Sequence, residues 1–159
     1  MKAIKYKGVE IGRGKYYEDM VYGVASIHDL LERKLTAVFK PFNLNIAKFN
    51  ILMVIKHIGK GRGISQKDIS KELIVTASNT SHFIYELEKK GQITHSVQPA
   101  DRRIKLIFIT KKGSSLLDKV WPGYEKSLKE VSALLPEPKQ RALSGLLTEW
   151  LVSLNNKIE

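Results

Sequence analysis

Three segments of helical apolar periodicity follow one another between Asn45 and Gly91, each opened by a capping residue, and two extended runs come directly after them. In the first, Asn45 caps a helix in which Ile46, Phe49, Leu52, Met53 and Ile55 alternate with Lys48, Asn50 and Lys56. Gly59, Gly61 and Gly63 end this mostly buried helix. Ser65-Gln66-Lys67-Asp68 has the spacing of a capping box with Asp in place of Glu, and predicts a short helix with Ile69 and Leu73 inward. Thr76 or Ser78 opens the third helix, which carries Thr80, Phe83, Ile84 and Leu87 on one stripe and stops at Gly91. Gln92 to Gln98 and Ile104 to Ile109 then read as strands, with Pro99-Ala100-Asp101-Arg102-Arg103 as the hairpin tip between them.

Longer helices flank this middle. From Tyr16 to Phe39 the residues Met20, Val21, Val24, Ile27, Leu30, Leu31, Leu35 and Val38 recur at three- and four-residue intervals until Pro41. Thr110 caps a helix that Pro122 and Gly123 are placed to bend or interrupt. A last helix begins near Pro136-Glu137-Pro138, with Leu143, Leu146, Leu147, Trp150, Leu151 and Leu154 on one face. The fold class is therefore mainly α with a small β-hairpin.

The chain's 27 basic and 16 acidic residues leave a net charge of +11. The excess is +4 over residues 1–15, +1 over 16–59, +6 over 60–112 and zero over 113–159. It thus sits in the middle segment and in an N-terminal arm that Gly8, Gly12 and Gly14 suggest is loosely ordered. An acidic polymer is the first partner to consider. A membrane surface is the rival, but no basic amphipathic helix is present, and the apolar runs fall far short of the roughly 18 residues a span requires. Without cysteine there is no disulfide, thiolate metal site or thiol switch. No signal peptide is visible, so a soluble, cytoplasmic protein is expected.

Two short helices joined by a tight turn can place the second in a DNA major groove. Its polar front is Ser78, Asn79, Ser81, His82 and Tyr85, opposite Phe83, Ile84 and Leu87. Asn79 suits bidentate pairing with adenine, or an ordinary helix or cap position. His82 suits a base, a phosphate or plain solvent, while Lys89 and Lys90 suit either phosphates or the dipole of the helix end. Arg102 and Arg103 suit a minor groove, and Asp101 is placed to hold the Arg103 guanidinium, or to form a surface ion pair of little energetic worth. Ser65, Gln66, Lys67, Thr76 and Lys105 complete the expected DNA-binding set.

The run Asp101-Arg102-Arg103-Ile104-Lys105-Leu106-Ile107-Phe108-Ile109-Thr110-Lys111-Lys112-Gly113 resembles the wing of the MarR (multiple antibiotic resistance regulator) family, whose pattern is D-x-R, a strand ending in L-T, then x-x-G. Ser65-Gln66 with Ile69 and Leu73 resembles the family's third helix, and Leu87-Glu88-Lys89-Lys90-Gly91 the end of its recognition helix. The resemblance implies a winged helix-turn-helix over 45–112, with the helix-turn-helix at about 65–90 and the wing at about 92–110. After a basic arm of residues 1–15, residues 16–159 form one such domain, and segments 16–40 and 113–159 pack a homodimer. Their apolar stripes and near-zero charge fit a subunit interface, or alternatively the monomer's own core. Gln92 departs from the usual apolar residue, His95 from a common arginine, and Glu86 from a position often basic. Glu86 and Glu88 would repel phosphate if they faced it.

The implied function is a sequence-specific regulator on an inverted-repeat operator in double-stranded DNA, acting as a repressor and released by a small ligand. Tyr22, His28, Met53 and His57 lie on helices that border such a ligand cleft, though each also suits packing or surface. No cofactor is expected, the four scattered histidines have no metal-site spacing, and no catalytic motif is present, so the chain is not read as an enzyme. Gly59-Lys60-Gly61-Arg62-Gly63 is a basic connection and not a phosphate loop. An RNA- or ribosome-associated winged-helix protein, or an interaction module for an acidic protein, are the alternatives.

Overall fold

The computed structural model describes residues 3–73, 79–98 and 101–158, with side chains at all of these except 97, 98, 101–104 and 158. Strands β1 (Ile4–Tyr6) and β2 (Val9–Ile11) precede helix α1 (Tyr16–Phe39), a 3-10 turn (Lys40–Phe42) and α2 (Ile46–His57). Strand β3 (Ile64–Ser65) leads into α3 (Gln66–Glu72), followed by α4 (Thr80–Lys89), β4 (Ile93–Gln98), β5 (Asp101–Ile109), α5 (Lys111–Ser132) and α6 (Glu137–Ile158). The chain divides into two compact units, Met1–Pro122 and Gly123–Glu159.

Within the first unit the short-range signals act as their chemistry dictates. The Asn45 side chain accepts from the Lys48 amide at 2.8 Å and so caps α2. Ser65 Oγ accepts from the Asp68 amide at 3.1 Å, while the Asp68 carboxylate accepts from the Ser65 hydroxyl at 2.6 Å and not from its backbone. That bond holds the Asp68 carboxyl below the usual range. The core gathers the inward faces of these helices and the sheet: Phe39 stacks on Phe49 at 4.8 Å, and Ile51, Leu52, Ile69, Leu87 and Ile107 are buried. No single helix among the described residues is long and apolar enough to cross a membrane.

The larger sheet is antiparallel in the order β3-β5-β4. Strand β3 goes beyond the sequence expectation of two strands: Ile64 and Ser65 pair with Ile107 and Leu106. Two residues carry no readable strand signal, and only the return of β5 beside them creates the pairing. Strand β5 also begins earlier than expected. Asp101, Arg102 and Arg103 are strand residues and not the hairpin tip, because pairing with β4, with Gln98 opposite Asp101, overrides their weak intrinsic preference for strands. The expected cap at Thr76 or Ser78 is likewise corrected. Helix α4 starts at Thr80 with Asn79 in the N-cap position, while Thr76 and Ser78 lie outside the described residues.

Residues 4–11 are a hairpin where a loose arm was expected. Lys7 and Gly8 both take positive φ, +47° and +87°, the requirement of the two-residue turn whose twist matches its strands. Side chains tie the hairpin to α1: the Tyr6 hydroxyl and the Lys7 ammonium donate to Asp29 at 2.5 and 2.9 Å, and Arg33 donates to the Tyr6 oxygen. The bond from Tyr6 lowers the Asp29 pKa and, reciprocally, raises that of Tyr6. With Arg13 on Glu10 and Lys15 on Glu18, much of the segment's positive charge is paired internally.

Helix α5 runs from Lys111 to Ser132 with Pro122 inside it, so the expected interruption does not occur, although the two units part at that residue. In the second unit, α6 opens with an Arg141–Glu137 pair at 2.6 Å and leaves Leu146 and Leu151 about two-thirds exposed. Leu135, Leu143, Leu147 and Leu151 line an apolar groove of about 370 Å³.

Candidate nucleic-acid interface

Helices α3 and α4 meet at their exposed N-terminal ends, where Gln66 Nε2 donates to Ser81 Oγ at 2.6 Å. Two residues expected to touch DNA are thereby brought together. Thr80, Ile84 and Leu87 are buried, so α4 presents Ser81, His82 and Tyr85 outward. Tyr85 is 61% exposed. Asn79 is exposed in the N-cap position, and its side chain makes no capping bond. Lys67 and Lys105 are exposed, whereas the Ser65 hydroxyl is engaged with Asp68.

Both acids of α4 have side-chain partners on other elements. Glu86 accepts from Lys48 of α2 at 2.5 Å, which holds its carboxyl below the usual range, and its other oxygen lies 3.5 Å from His82 Nε2. Glu88 meets His95 Nδ1 of β4 at 2.6 Å. The residue standing where the family commonly has arginine thus partners the second acid. Lys90 is turned away from the α4 front, its ammonium donating to the Asn43 carbonyl at 3.3 Å. The side chains of Asp101, Arg102 and Arg103 lie outside the described residues, and with them the expected Asp101–Arg103 bond.

The junction of α4, the hairpin and α5 is held by contacts that sequence reasoning saw only in part. Thr110 Oγ1 accepts from the Gly113 amide at 3.1 Å, as expected of a cap, and also donates to the Gly91 carbonyl at 2.8 Å. Lys112 Nζ donates to the Lys90 carbonyl at 2.7 Å, and the Thr110 amide to the Gln92 carbonyl at 3.1 Å. Gly113 is required because a β-carbon there would collide with that carbonyl. This is the physical content of a threonine followed three residues later by glycine. Gln92 itself is buried, and its Oε1 has no partner among the described residues.

Of the residues expected at an effector cleft, Tyr22 lines a cavity of about 730 Å³ with Glu10, Arg13, Glu18 and Asp19, and that cavity includes none of the other three. Met53 is half-buried on α2, and His28 and His57 are exposed. No group of residues suited to a metal ion occurs among the described residues.

A helix pair with an outward polar face, followed by an antiparallel hairpin and capped by long helices, defines a winged helix-turn-helix protein. Residues 44–105 match the model of the MarR family. It is 33% identical over 95 residues to the HTH-type transcriptional regulator Hpr of Geobacillus thermodenitrificans (strain NG80-2), an alignment covering 60% of this chain and 46% of Hpr. The chain therefore spans about half the length of that relative. Its fold is similar to that of a protein described as a MarR-like transcription regulator from Bacillus cereus ATCC 10987, with TM-score 0.80, 21% identity and coverage of 89% and 99% of the two chains. The S. aureus MepR–DNA complex is also similar, with TM-score 0.74, 23% identity and coverage of 84% and 96%.

Proposed function

We propose that this protein is a cytoplasmic transcriptional regulator, without catalytic chemistry of its own, that binds double-stranded DNA sequence-specifically as a homodimer on an inverted-repeat operator. The observation that carries this reading is the α4 front: Ser81, His82 and Tyr85 face outward beside the Gln66–Ser81 bridge, while both acids of that helix are paired. Short hydrogen-bonding side chains without an opposing free carboxylate suit base edges and phosphates. That MepR, of the same fold, was crystallised with DNA supports DNA as the partner. The exposed apolar residues Val24, Ile27, Leu147 and Leu151 support a dimer, since surfaces of this kind gain by mutual burial. Repression, and release by a small ligand, complete the proposal.

In vitro selection of duplexes bound by the purified protein tests it. Enrichment of an inverted repeat is expected, with affinity falling with salt at a log–log slope of about −0.9 per neutralised phosphate. Asn79→Ala is expected to cost about 1–3 kcal/mol at one base position, and Arg103→Ala to weaken binding while the dimer persists. Recovery mainly of structured RNA, or of no nucleic acid, refutes the proposal.

A further inference from the structure

We propose that Lys48, on α2 and outside the DNA-facing helix, is a positioning residue that sets the charge of α4: it neutralises Glu86 from behind and leaves the other Glu86 oxygen to orient His82. The inference rests on the DNA-binding reading above. Lys48 is only 13% exposed at its side chain, Glu86 is 34% exposed and His82 is 62% exposed, so the three run from the protein interior to the surface in one line of contacts. The ammonium sits 2.5 Å from Glu86 Oε2 and 5.6 Å from the centre of the Phe83 ring, an arrangement that fixes the cation between a carboxylate and an aromatic face. Glu86 is ionised at neutral pH, because the hydrogen bond from Lys48 holds its carboxyl low. A carboxylate one helical turn from His82 would repel approaching phosphates without this partner, and interior placement shields the pair from salt better than a surface pair.

A neutralising role and a clamp that merely pins α4 to α2 predict different signs. Removing Lys48 uncovers a negative charge beside the DNA, whereas removing the charge of Glu86 uncovers a positive one. Binding is measured by fluorescence anisotropy on the duplex that the wild-type protein selects, with Lys48→Met, Glu86→Gln and the double variant. Folding is monitored by circular dichroism and thermal melting. At about 0.1 M salt Lys48→Met is expected to weaken binding about tenfold, Glu86→Gln to tighten it about threefold, and the double variant to return within about twofold of wild type. Should Lys48→Met not fold, Glu86→Gln alone decides: tightening supports the inference, and unchanged or weaker binding overturns it. Weakening in both single variants, with no recovery in the double, assigns Lys48 a clamp role and overturns the inference while the DNA-binding reading stands. A wild-type protein that selects no duplex overturns that reading, and the inference with it.

Discussion

Replacing Gly113 by alanine tests whether the junction between hairpin and α5 is as tight as its geometry indicates. Gly113 is a helical residue, and alanine in a helix is ordinarily favoured over glycine by about 1 kcal/mol. Here the added β-carbon meets the Gln92 carbonyl and approaches the Ile109 side chain at 2.9 Å. Backbone cannot swing aside as a flexible side chain can. Overpacking of this kind costs about 1–3 kcal/mol, and displacing the Gln92 oxygen forfeits the bond from the Thr110 amide, worth about 1 kcal/mol net. Offsetting the propensity gain leaves a loss of about 2 kcal/mol, or a fall in Tm of about 4–8 °C for a chain of this length. Gly145→Ala in α6 is the matched control, because nothing lies within 4 Å of its added carbon. It is expected to raise stability by up to about 1 kcal/mol. Denaturant melts of the two variants against wild type provide the measurement. If Gly113→Ala is as stable as wild type, the close approach of α5 to Gln92 is wrong.

Gln92→Met replaces a buried acceptor that has no partner among the described residues with an apolar group of similar length, and is expected to gain about 1 kcal/mol in urea unfolding, with DNA affinity unchanged. Asn45→Ala removes the α2 cap and is expected to cost about 1 kcal/mol by the same measurement. Asp29, Asp68 and Glu86 have lowered carboxyl pKa values, so the stability they contribute is complete above the ordinary carboxylate range. It is lost as pH falls through the lowered folded-state values, and acid unfolding followed by circular dichroism should begin below about pH 4 and be less steep in Asp29→Asn. Sedimentation is expected to give twice the 18.0 kDa chain mass, and Leu147→Glu to reduce it to that of one chain.

Features encoded within a few residues were readable in advance. Helix α1 spans the periodic stretch from Tyr16 to Phe39, Asn45 and Ser65 cap where their side chains reach the next amides, and Gly91 ends α4 at positive φ. Each depends on a spacing of three or four residues, which the chain carries wherever it goes. The outward face of α4 was legible for the same reason, since a helix with Ile84 and Leu87 inward must turn Ser81, His82 and Tyr85 outward.

Other features needed the tertiary structure. The hairpin at Lys7-Gly8 lacks the usual Asn-Gly signal, and Tyr6 finds Asp29 23 residues away. Strand β3 exists only because β5 returns beside it. The charge of the candidate interface was also decided at long range: by sequence alone Glu86 and Glu88 look hostile to phosphate, and nothing local indicates that Lys48 and His95 will meet them. The sequence by itself determined which segments are helices, where α2 and α3 start and which side of α4 is polar, because hydrogen bonds to neighbouring amides and apolar periodicity are local. Only the tertiary structure decided which charges remain available to a partner, because ion pairing depends on distances that folding alone sets.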